Sequence, residues 1–376
     1  MNIRLMKTLD AIIGRLAVSL LTTPVNFSMP GKMSSILIIR PGGIGDAVLL
    51  IPTVHAIKEK YPAASITILA EHRNSQVFAL CADVDQVLHY DHPLELLTAI
   101  NGTYDVVIDT EQWHRLSAIV ARLTRAPVLI GYATNERSRL FDIRIPYSQD
   151  DYESECFFNL AAPLGVLHDQ VPERFLEIPA AANANVSRIL ADLGGSNFVV
   201  IFPGASIAER RWGGDRFRQL AILLSSLGIP VVVIGGNVDK EQGEMIVAGN
   251  GLNLAGRTSL VETAAVIDRS VLLVSGDSGM LHIAAGLGKP TVSLFGPGRA
   301  RKWAPRGERH IVINKELPCS PCTTYGTTPA CPIAAQCMRD ISVDEVFNAI
   351  TMQLTSSGAI GSFCCKLDWI KIDAGH

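Results

Sequence analysis

One acidic residue follows a glycine-rich turn at a place where the sequence predicts a strand and then a helix. The apolar run at 36–39 predicts a short buried strand, and Gly42, Gly43 and Gly45 then precede Asp46. Such a turn brings backbone N–H groups close to a ligand at the carboxyl end of a parallel strand. The residues leave two interpretations of Asp46 open, since its carboxylate could cap the helix or act on a bound substrate.

This turn does not match the two common phosphate fingerprints. It lacks the Gly-Lys-Ser/Thr ending of a P-loop. It also lacks the G-x-G-x-x-G spacing of a dinucleotide site, and Glu71 is only a marginal candidate for the acidic residue expected after the next strand. An NAD-dependent oxidoreductase is therefore disfavoured.

A second polar loop follows the apolar run at 198–202. It contains Ser206 and, four residues later, Arg210 and Arg211. A hydroxyl, backbone N–H groups and fork-shaped guanidinium groups suit phosphate oxygens. A solvated charge cluster before a helix is the alternative, but small loop residues next to arginines favour phosphate binding.

The third polar loop lies between the apolar run at 271–274 and a helix predicted to begin near Gly279. Asp277 and Ser278 precede that helix, and His282 lies three residues into it. A helix N-terminus has free N–H groups and a partial positive charge, which suit a diphosphate. Asp277 and Ser278 could also be plain caps, and His282 a core histidine or a ligand contact. Two phosphate-compatible loops in one half of the chain are more specific than either loop alone.

Four cysteines fall in one short segment, at Cys319, Cys322, Cys331 and Cys337. Four thiolates at short spacing can close a structural zinc site or hold an iron–sulfur cluster. The intervals match neither common zinc ribbons nor standard ferredoxins, so paired cysteines and free thiols also remain open. No catalytic role is expected for this segment.

The elements that would position these loops alternate regularly between strand-like and helix-like patterns. This alternation predicts an α/β fold with two doubly wound parallel sheets facing each other across a cleft that is the default site. We expect an N-terminal extension at 1–30, a first domain at 34–185, a second domain at 195–340, and a C-terminal helix and tail at 341–376. The alanine-rich stretch at 179–184 predicts a linker.

Composition narrows the class of protein. Of the 376 residues, 48% are hydrophobic and 18% are charged, which is enough for a sizeable core. A formal net charge of −3 argues against a general basic field for nucleic acid. Scattered single cysteines in a chain of this length indicate a reducing cytoplasm. The charge-free part of the N-terminus, 16–27, is too short to span a membrane, so it predicts either an amphipathic helix on a membrane surface or a helix packed on the protein.

Three stretches together resemble the signatures of glycosyltransferase family nine, the heptosyltransferases of lipopolysaccharide core synthesis. They are Ile-Arg-Pro-Gly-Gly-Ile-Gly-Asp46, Pro-Gly-Ala-Ser206 with Arg-Arg-Trp212, and Ser-Gly-Asp-Ser-Gly-Met-Leu-His282 followed by Lys-Pro290 and Phe-Gly-Pro297. The resemblance runs from about 34 to 355, and the motifs occur in the same order. Each piece is common by itself, but the set is specific.

The resemblance implies a GT-B fold of two Rossmann-like domains, with the acceptor held mainly by the first domain and the nucleotide sugar mainly by the second. It implies an inverting, metal-independent transfer of a heptose from an ADP-heptose type donor to a lipid-linked saccharide, with no cofactor required for catalysis. Asp46 matches the family's proposed general base, and Gly42, Gly43 and Gly45 would then form the acceptor-side loop.

For the donor, the resemblance implies a diphosphate-contacting loop at Ser206 and a donor-binding loop containing Asp277, Ser278, Gly279 and His282. Arg210 stands where the family usually has a lysine. An arginine there keeps the positive charge but changes its reach and hydrogen-bond geometry, which puts the identity of the donor more in doubt than the type of reaction.

The location implied is cytoplasmic, with peripheral contact on the inner face of the cytoplasmic membrane and no nucleic-acid partner. One alternative is a family member that uses a different nucleotide sugar or a surface-glycan acceptor. Another is an inactive protein that binds nucleotide sugars. The sequence identifies neither the acceptor nor the oligomeric state, and it assigns no role to the cysteines at 364–365.

Overall fold

The computed structural model describes residues 10, 14–21, 28–167, 171–195, 197–247, 249 and 251–356. The chain divides into two compact units. Unit 1 comprises Met1–Ala180, Arg301–Trp303 and Thr323–Thr327, and unit 2 comprises Ala181–Ala300, Ala304–Cys322 and Thr328–His376. The cysteines at 364–365 lie outside the described residues.

Unit 1 is built on a parallel sheet of six strands in the order β3-β2-β1-β4-β5-β6. The strands are β1 Ser35–Arg40, β2 Ser65–Ala70, β3 Gln86–His89, β4 Val106–Asp109, β5 Val128–Tyr132 and β6 Ile143–Ile145. The helices are α1 Arg15–Leu20, α2 Ile44–Lys60, α3 His72–Ser75, α4 Pro93–Asn101, α5 Arg115–Leu123 and α6 Glu153–Ala161. Short 3₁₀ helices lie at Gln76–Leu80, Glu136–Leu140 and Ala162–Leu164. The segment Ala300–Trp303 forms one further short helix, α12 in chain order.

Unit 2 repeats this architecture with the order β12-β11-β10-β7-β8-β9. Its strands are β7 Val199–Phe202, β8 Val231–Val233, β9 Gly251–Asn253, β10 Leu272–Gly276, β11 Thr291–Phe295 and β12 His310–Asn314. Its helices are α7 Ala180–Ile189, α8 Gly214–Ser226, α9 Lys240–Val247, α10 Leu260–Arg269, α11 Gly279–Gly286, α13 Gln336–Arg339 and α14 Val343–Ser356. Its 3₁₀ helices are Ala191–Leu193, Ala208–Arg210 and Asn237–Asp239.

The central strands are apolar because helices cover both faces of each sheet. All four residues of β4 and all five of β10 are buried. Parallel sheets covered on both faces need such continuous apolar runs rather than alternation. The α/β fold with two Rossmann-like parallel sheets is thus confirmed.

Each sheet reverses its strand order at one point, and the sequence-predicted loops lie there. In unit 1, β1 pairs with β4, with Ile39 opposite Asp109. In unit 2, β7 pairs with β10, with Phe202 opposite Ser275. A crevice opens beside the carboxyl ends of the two strands at such a switch point, and open α/β sheets bind ligands in it.

One of the two interpretations of Asp46 and one local expectation were wrong. Helix α2 begins at Ile44 with Gly43 as its N-cap, so Asp46 lies in the first turn and is not the cap. The stretch predicted as a linker at 179–184 instead opens helix α7, because alanine has the highest helix propensity of all residues.

Helix α1 lies in the N-terminal extension and packs within unit 1. Val18 is buried, while Leu16 and Leu20 are 62% and 83% exposed. Asp10 is also buried, and its carboxylate accepts the backbone N–H groups of Arg115 (2.6 Å) and Leu116 (2.9 Å) at the start of α5. Across the described ranges, no helix is both long enough and apolar enough to span a bilayer.

Candidate active site

The turn after β1 needs glycine at its first position. Gly42 has φ +113°, a conformation that L-residues rarely adopt, and a Cβ there would lie 3.0 Å from Nη2 of Arg40. The backbone therefore passes close over the arginine side chain. This close approach delivers the first turn of α2, with Asp46 in it, to the carboxyl end of β1.

Arg40 is the last residue of β1, and its side chain is buried. Its Nη1 donates to the carbonyl oxygen of Thr110 at 3.0 Å, and its Nε donates to that of Pro41 at 2.8 Å. Its Nη2 lies 3.6 Å from a carboxylate oxygen of Glu111 and 4.0 Å from one of Asp46. The guanidinium thus ties the loop after β1 to the loop after β4 at the switch point.

Glu111 is a buried carboxylate that serves both the arginine and the backbone. Its Oε1 accepts the N–H groups of Trp113 at 3.0 Å and His114 at 3.2 Å. Burial acts to raise the pKa of Glu111, but the charges of Arg40, His114 and Arg137 and the backbone hydrogen bond from Trp113 together outweigh burial, and the pKa is lowered. Glu111 therefore stays ionised beside Arg40 at neutral pH.

Asp46 differs from Glu111 because solvent reaches it. Its side chain is 26% exposed, although its Oδ2 faces the buried guanidinium of Arg40. A negative charge in the first turn of a helix is also favoured by the helix dipole. The arrangement places an accessible carboxylate beside a fixed positive charge, which suits removal of a proton from a bound group.

A second buried ion pair lies near Asp46. Nζ of Lys302 is 2.8 Å from Oε2 of Glu153, and both side chains are fully buried. Lys302 also donates to the carbonyl oxygens of Ser148 and Asp151. Burial and the charge of Asp46 raise the pKa of Glu153, while Lys302 acts in the opposite direction. The lysine therefore compensates for two carboxylates that lie close together.

In unit 2 the side chain of Arg211 fixes the loop after β7, and Ser206 of this loop is exposed. Nε and Nη2 of Arg211 donate to the carbonyl oxygen of Ala205 at 3.1 and 2.9 Å. Ser206 follows and is exposed. Nε1 of Trp212 donates to the carbonyl oxygen of Ile341 at 2.9 Å, which anchors the far end of the loop in the core.

Arg210 and Asp277 join the two predicted phosphate loops. Nη1 of Arg210 lies 2.8 Å from Oδ2 of Asp277, with side chains 15% and 8% exposed. A Cβ on Gly298 would lie 2.1 Å from the same carboxylate oxygen, so a larger residue there would displace the Asp277 side chain. The structure thus brings together residues that are 67 positions apart in the sequence.

Ser278 is the N-cap of α11, as the sequence allowed. Its Oγ accepts the N–H of Leu281 at 3.4 Å and lies 2.7 Å from Oγ of Ser275. Gly279 is the first residue of α11 and directly follows this cap. The helix N-terminus therefore opens at the carboxyl end of β10, where its N–H groups and dipole favour an anion.

His282 is buried in the first turn of α11, and its Nδ1 makes no hydrogen bond within the described part of the chain. Burial lowers its pKa to about 4, so the imidazole is neutral at pH 7. A neutral imidazole can donate or accept a hydrogen bond with a ligand, but it adds no positive charge to the site.

The four cysteines of the predicted metal segment carry free thiols. Burial raises the pKa of Cys337 and Cys322, and the neighbouring cysteines add to both shifts. In the described ranges, no group of three or more His, Cys, Asp or Glu side chains is placed to hold a metal ion. A structural zinc or iron–sulfur cluster therefore stays a sequence prediction, and no chemical step is derived through it.

Several residues of these sites were missed by sequence reasoning. Arg40, Glu111, Glu153 and Lys302 carry the charges around Asp46, and none of them was singled out. The sequence could have indicated Arg40 and Glu111. Arg40 is a charged residue at the end of the buried strand β1, and Glu111 lies two positions after the end of β4. Glu153 and Lys302 had no such signal, because their pairing depends on tertiary structure alone.

Comparisons with known proteins agree with these observations. A model of glycosyltransferase family 9 (heptosyltransferase) matches residues 94–331. Lipopolysaccharide heptosyltransferase 3 from Escherichia coli is 27% identical over 288 residues, which cover 69% of this chain and 83% of that protein. Lipooligosaccharide heptosyltransferase 2 from Haemophilus influenzae is 25% identical over 307 residues, covering 74% of this chain and 88% of that protein.

A solved structure of E. coli ADP-heptose lipopolysaccharide heptosyltransferase II is similar to this fold. The TM-score is 0.71 at 21% identity, and the match covers 86% of this chain and 99% of that one. At this level of identity the likeness concerns the fold alone.

Proposed function

Because the chain belongs to glycosyltransferase family 9, the heptosyltransferases, we propose that it transfers a heptose from ADP-heptose to a lipid-linked saccharide of the lipopolysaccharide core. The observation that carries the proposal is Asp46, an accessible carboxylate held beside buried Arg40 at the switch point of unit 1. The named relatives act in lipopolysaccharide and lipooligosaccharide heptose transfer, which supports this choice of donor and acceptor.

In the proposed reaction Asp46 is the general base. It takes the proton of an acceptor hydroxyl while that oxygen attacks the anomeric carbon of the heptose, the bond from that carbon to the diphosphate breaks, and ADP leaves. A single displacement of this kind inverts the anomeric configuration. One carboxylate is enough for it, and the proton that leaves the acceptor ends on Asp46.

The departing ADP gains negative charge. We propose that groups of unit 2 stabilise this charge and that no metal ion is needed. Arg210 supplies a fixed cation, Ser206 an exposed hydroxyl, and the N-terminus of α11 at Ser278 and Gly279 supplies N–H groups and a dipole. Neutral His282 can contribute a hydrogen bond only. Transfer should accordingly persist when a chelator removes divalent metal ions.

The test of the base is Asp46→Asn, assayed with ADP-heptose and a truncated lipopolysaccharide core, with products identified by mass spectrometry. We expect transfer to fall by about two to four orders of magnitude, while the affinity for ADP is unchanged. The matched control is Asp83→Asn, which alters a carboxylate of similar exposure before β3, at the opposite edge of the sheet. Near-normal turnover of the Asp46 variant would remove it from the base role.

A donor other than ADP-heptose is the second candidate, because Arg210 stands where the family usually has a lysine and because it pairs with Asp277. A guanidinium engaged by a carboxylate presents different donors to a sugar diphosphate than a lysine does. Thermal shifts with a panel of nucleotide sugars separate the two candidates. Binding of a nucleotide sugar without turnover on any acceptor would indicate an inactive binding protein instead.

We also propose that the protein works at the inner face of the cytoplasmic membrane, where its acceptor would be anchored. Leu16 and Leu20 lie one turn apart on α1 and are exposed, while Val18 packs inward. Two exposed leucines on a docked helix suit insertion into the headgroup region. Sedimentation with anionic vesicles should fall for Leu16→Ser/Leu20→Ser, with Leu94→Ser, another exposed leucine, as the control.

A further inference from the structure

Unit 1 contains a group of aromatic side chains that the proposed reaction does not use. The rings of Trp113 and Tyr325 stack with centroids 4.3 Å apart and planes inclined by 28°. Tyr147 lies on the same group, with its ring 6.2 Å from that of Tyr325 and inclined by 30°. These three residues come from three separate loops of the sequence, and we name them the aromatic platform.

The turn that carries Tyr325 is unfavourable for a tyrosine. Thr324 and Thr327 exchange two backbone hydrogen bonds, so Tyr325 and Gly326 are the central residues of a tight hairpin. Both have positive φ, 44° and 68°. Such turns favour Asn-Gly, and a left-handed conformation costs an ordinary L-residue about 1–2 kcal/mol. Local backbone preference therefore does not explain the tyrosine, whereas the stacking of its ring does.

A chain of contacts connects the aromatic platform to the proposed base. The backbone N–H of Trp113 donates to the carboxylate of Glu111 at 3.0 Å. The other carboxylate oxygen of Glu111 lies 3.6 Å from the guanidinium of Arg40, which in turn lies 4.0 Å from the carboxylate of Asp46. On the other side, the hydroxyl of Tyr147 donates to Glu153 at 2.9 Å. Trp113 and Tyr147 follow β4 and β6, so both extend from the carboxyl edge of the sheet, where ligands bind.

The platform is not a closed part of the core. Trp113 is 37% exposed, and Tyr325 and Tyr147 are both partly exposed. The exposed part of an aromatic ring, with polar groups at its margin, can pack on a pyranose ring, which has an apolar face of C–H groups and hydroxyls around its rim. Charged or linear acceptor parts would gain less from such a surface.

We infer that Trp113 and Tyr325 form a binding subsite for a pyranose ring of the acceptor saccharide, which they hold beside Asp46. This inference rests on the proposed function, since it assigns the acceptor's place in that reaction. It also gives a role to the sequence between Cys322 and Cys331, which contains the turn with Tyr325. The subsite acts in binding and makes no covalent step.

The first experiment replaces Trp113. With a truncated lipopolysaccharide core as acceptor and saturating ADP-heptose, Trp113→Ala should raise the KM for the acceptor about tenfold, which corresponds to about 1.4 kcal/mol. The kcat at saturating acceptor and the affinity for ADP should stay near the wild-type values. Trp113→Phe keeps a flat ring and should recover most of the affinity.

The second experiment separates the ring of Tyr325 from its turn. Tyr325→Asn removes the ring but places a preferred residue at the left-handed position, so the hairpin should be kept or stabilised. We expect the KM for the acceptor to rise as it does for Trp113→Ala, with no loss of thermal stability. Leu94→Ala, which removes an exposed apolar side chain from α4, is the control and should leave the KM unchanged.

The outcomes distinguish this inference from the function beneath it. If the wild-type protein transfers no heptose to the truncated core, the proposed function fails. If it does, but Trp113→Ala and Tyr325→Asn keep the wild-type KM, the subsite is wrong and the reaction stands. A fall in kcat with an unchanged KM would also overturn the subsite, because it would place these rings in the chemical step or in folding.

Discussion

The guanidinium of Arg210 lies 2.8 Å from a carboxylate oxygen of Asp277, so an ion pair joins the loop after β7 to the loop after β10. The pair is mostly shielded from solvent and lies at the switch point of unit 2. Asp277 therefore holds Arg210 in place, but its negative charge also opposes a diphosphate. The two residues should consequently have opposite effects on nucleotide binding.

Replacing Arg210 tests this relationship. Arg210→Met should weaken ADP binding about tenfold to a hundredfold, because a hydrogen bond between charged groups contributes about 1.5–3 kcal/mol. Arg210→Lys keeps the charge but not the planar fork, so its affinity for ADP should lie between those of the wild type and Arg210→Met. Asp277→Asn should leave ADP binding equal or tighter, since it removes the opposing charge. Isothermal titration calorimetry gives the dissociation constants, and equal losses in all three variants would contradict the assignment.

Because His282 is buried, we expect the free energy of unfolding to depend on pH. Its pKa is about 4 in the folded protein because burial disfavours the charged ring, and about 6.5 when unfolded. Between these values the unfolded chain binds a proton that the folded chain does not. Stability from this residue is therefore fully present above pH 6.5 and is lost as the pH falls from 6.5 towards 4.

The measurement is the free energy of unfolding by urea at pH 7 and pH 5, for the wild type and for His282→Gln, which does not titrate. We expect the wild type to lose about 1–2 kcal/mol more than the variant over this interval. Equal losses would mean that His282 is already protonated in the folded protein at pH 5.

The alternation of strands and helices and the place of the polar loops were accessible from the sequence, and the order of strands within each sheet and the side-chain network were not. Gly42, Asp46, Ser206 and Asp277 each follow an apolar run of the length of a buried strand, so local pattern was enough to place them at strand ends. The alternation of strand and helix then put those ends on the same edge of a parallel sheet.

The network around Asp46 depends on contacts between residues far apart in the sequence. Lys302 reaches Glu153 across 149 positions, and Asp10 reaches Arg115 across 105. No local pattern indicates such partners, because a buried lysine and a surface lysine look alike in one sequence. The same reason explains why the N-terminal segment could be interpreted either as a membrane helix or as a packed one.

Lys302 and Glu153 form a buried ion pair. We therefore expect that replacing one partner lowers the free energy of unfolding strongly and that replacing both lowers it less. Lys302→Met leaves Glu153 buried without its cation, which should destabilise the protein by about 3–5 kcal/mol. Replacing both, as Lys302→Met/Glu153→Leu, removes the uncompensated charge and should recover much of that loss.

Urea unfolding of both variants measures this coupling. The matched control is Lys315→Met, which breaks a pair with Glu345 that solvent reaches on both sides and should cost less than about 1 kcal/mol. If Lys302→Met costs no more than the control, water must reach the pair and it is not buried as described.

Asp10 links the N-terminal segment to the start of α5, next to the loop that contains Trp113. Its carboxylate accepts the N–H groups of Arg115 and Leu116, and so caps α5, which begins two residues after Trp113. Burial opposes its ionisation, but the hydrogen bonds from His114 and these amides outweigh burial and lower the pKa of Asp10. Because the folded pKa lies below the unfolded one, this contribution is present above about pH 4 and is lost as the pH falls through the folded value.

Asp10→Ala should therefore cost about 1–2 kcal/mol at pH 7, as the loss of a helix cap does. Hydrogen exchange at the amides of Arg115 and Leu116 should accelerate, while exchange in α2 stays unchanged. Asp10→Asn keeps an acceptor oxygen and should show a smaller effect, and its difference from the wild type should shrink as the pH falls below 4. Unchanged exchange at both amides in Asp10→Ala would show that the N-terminal segment does not cap this helix.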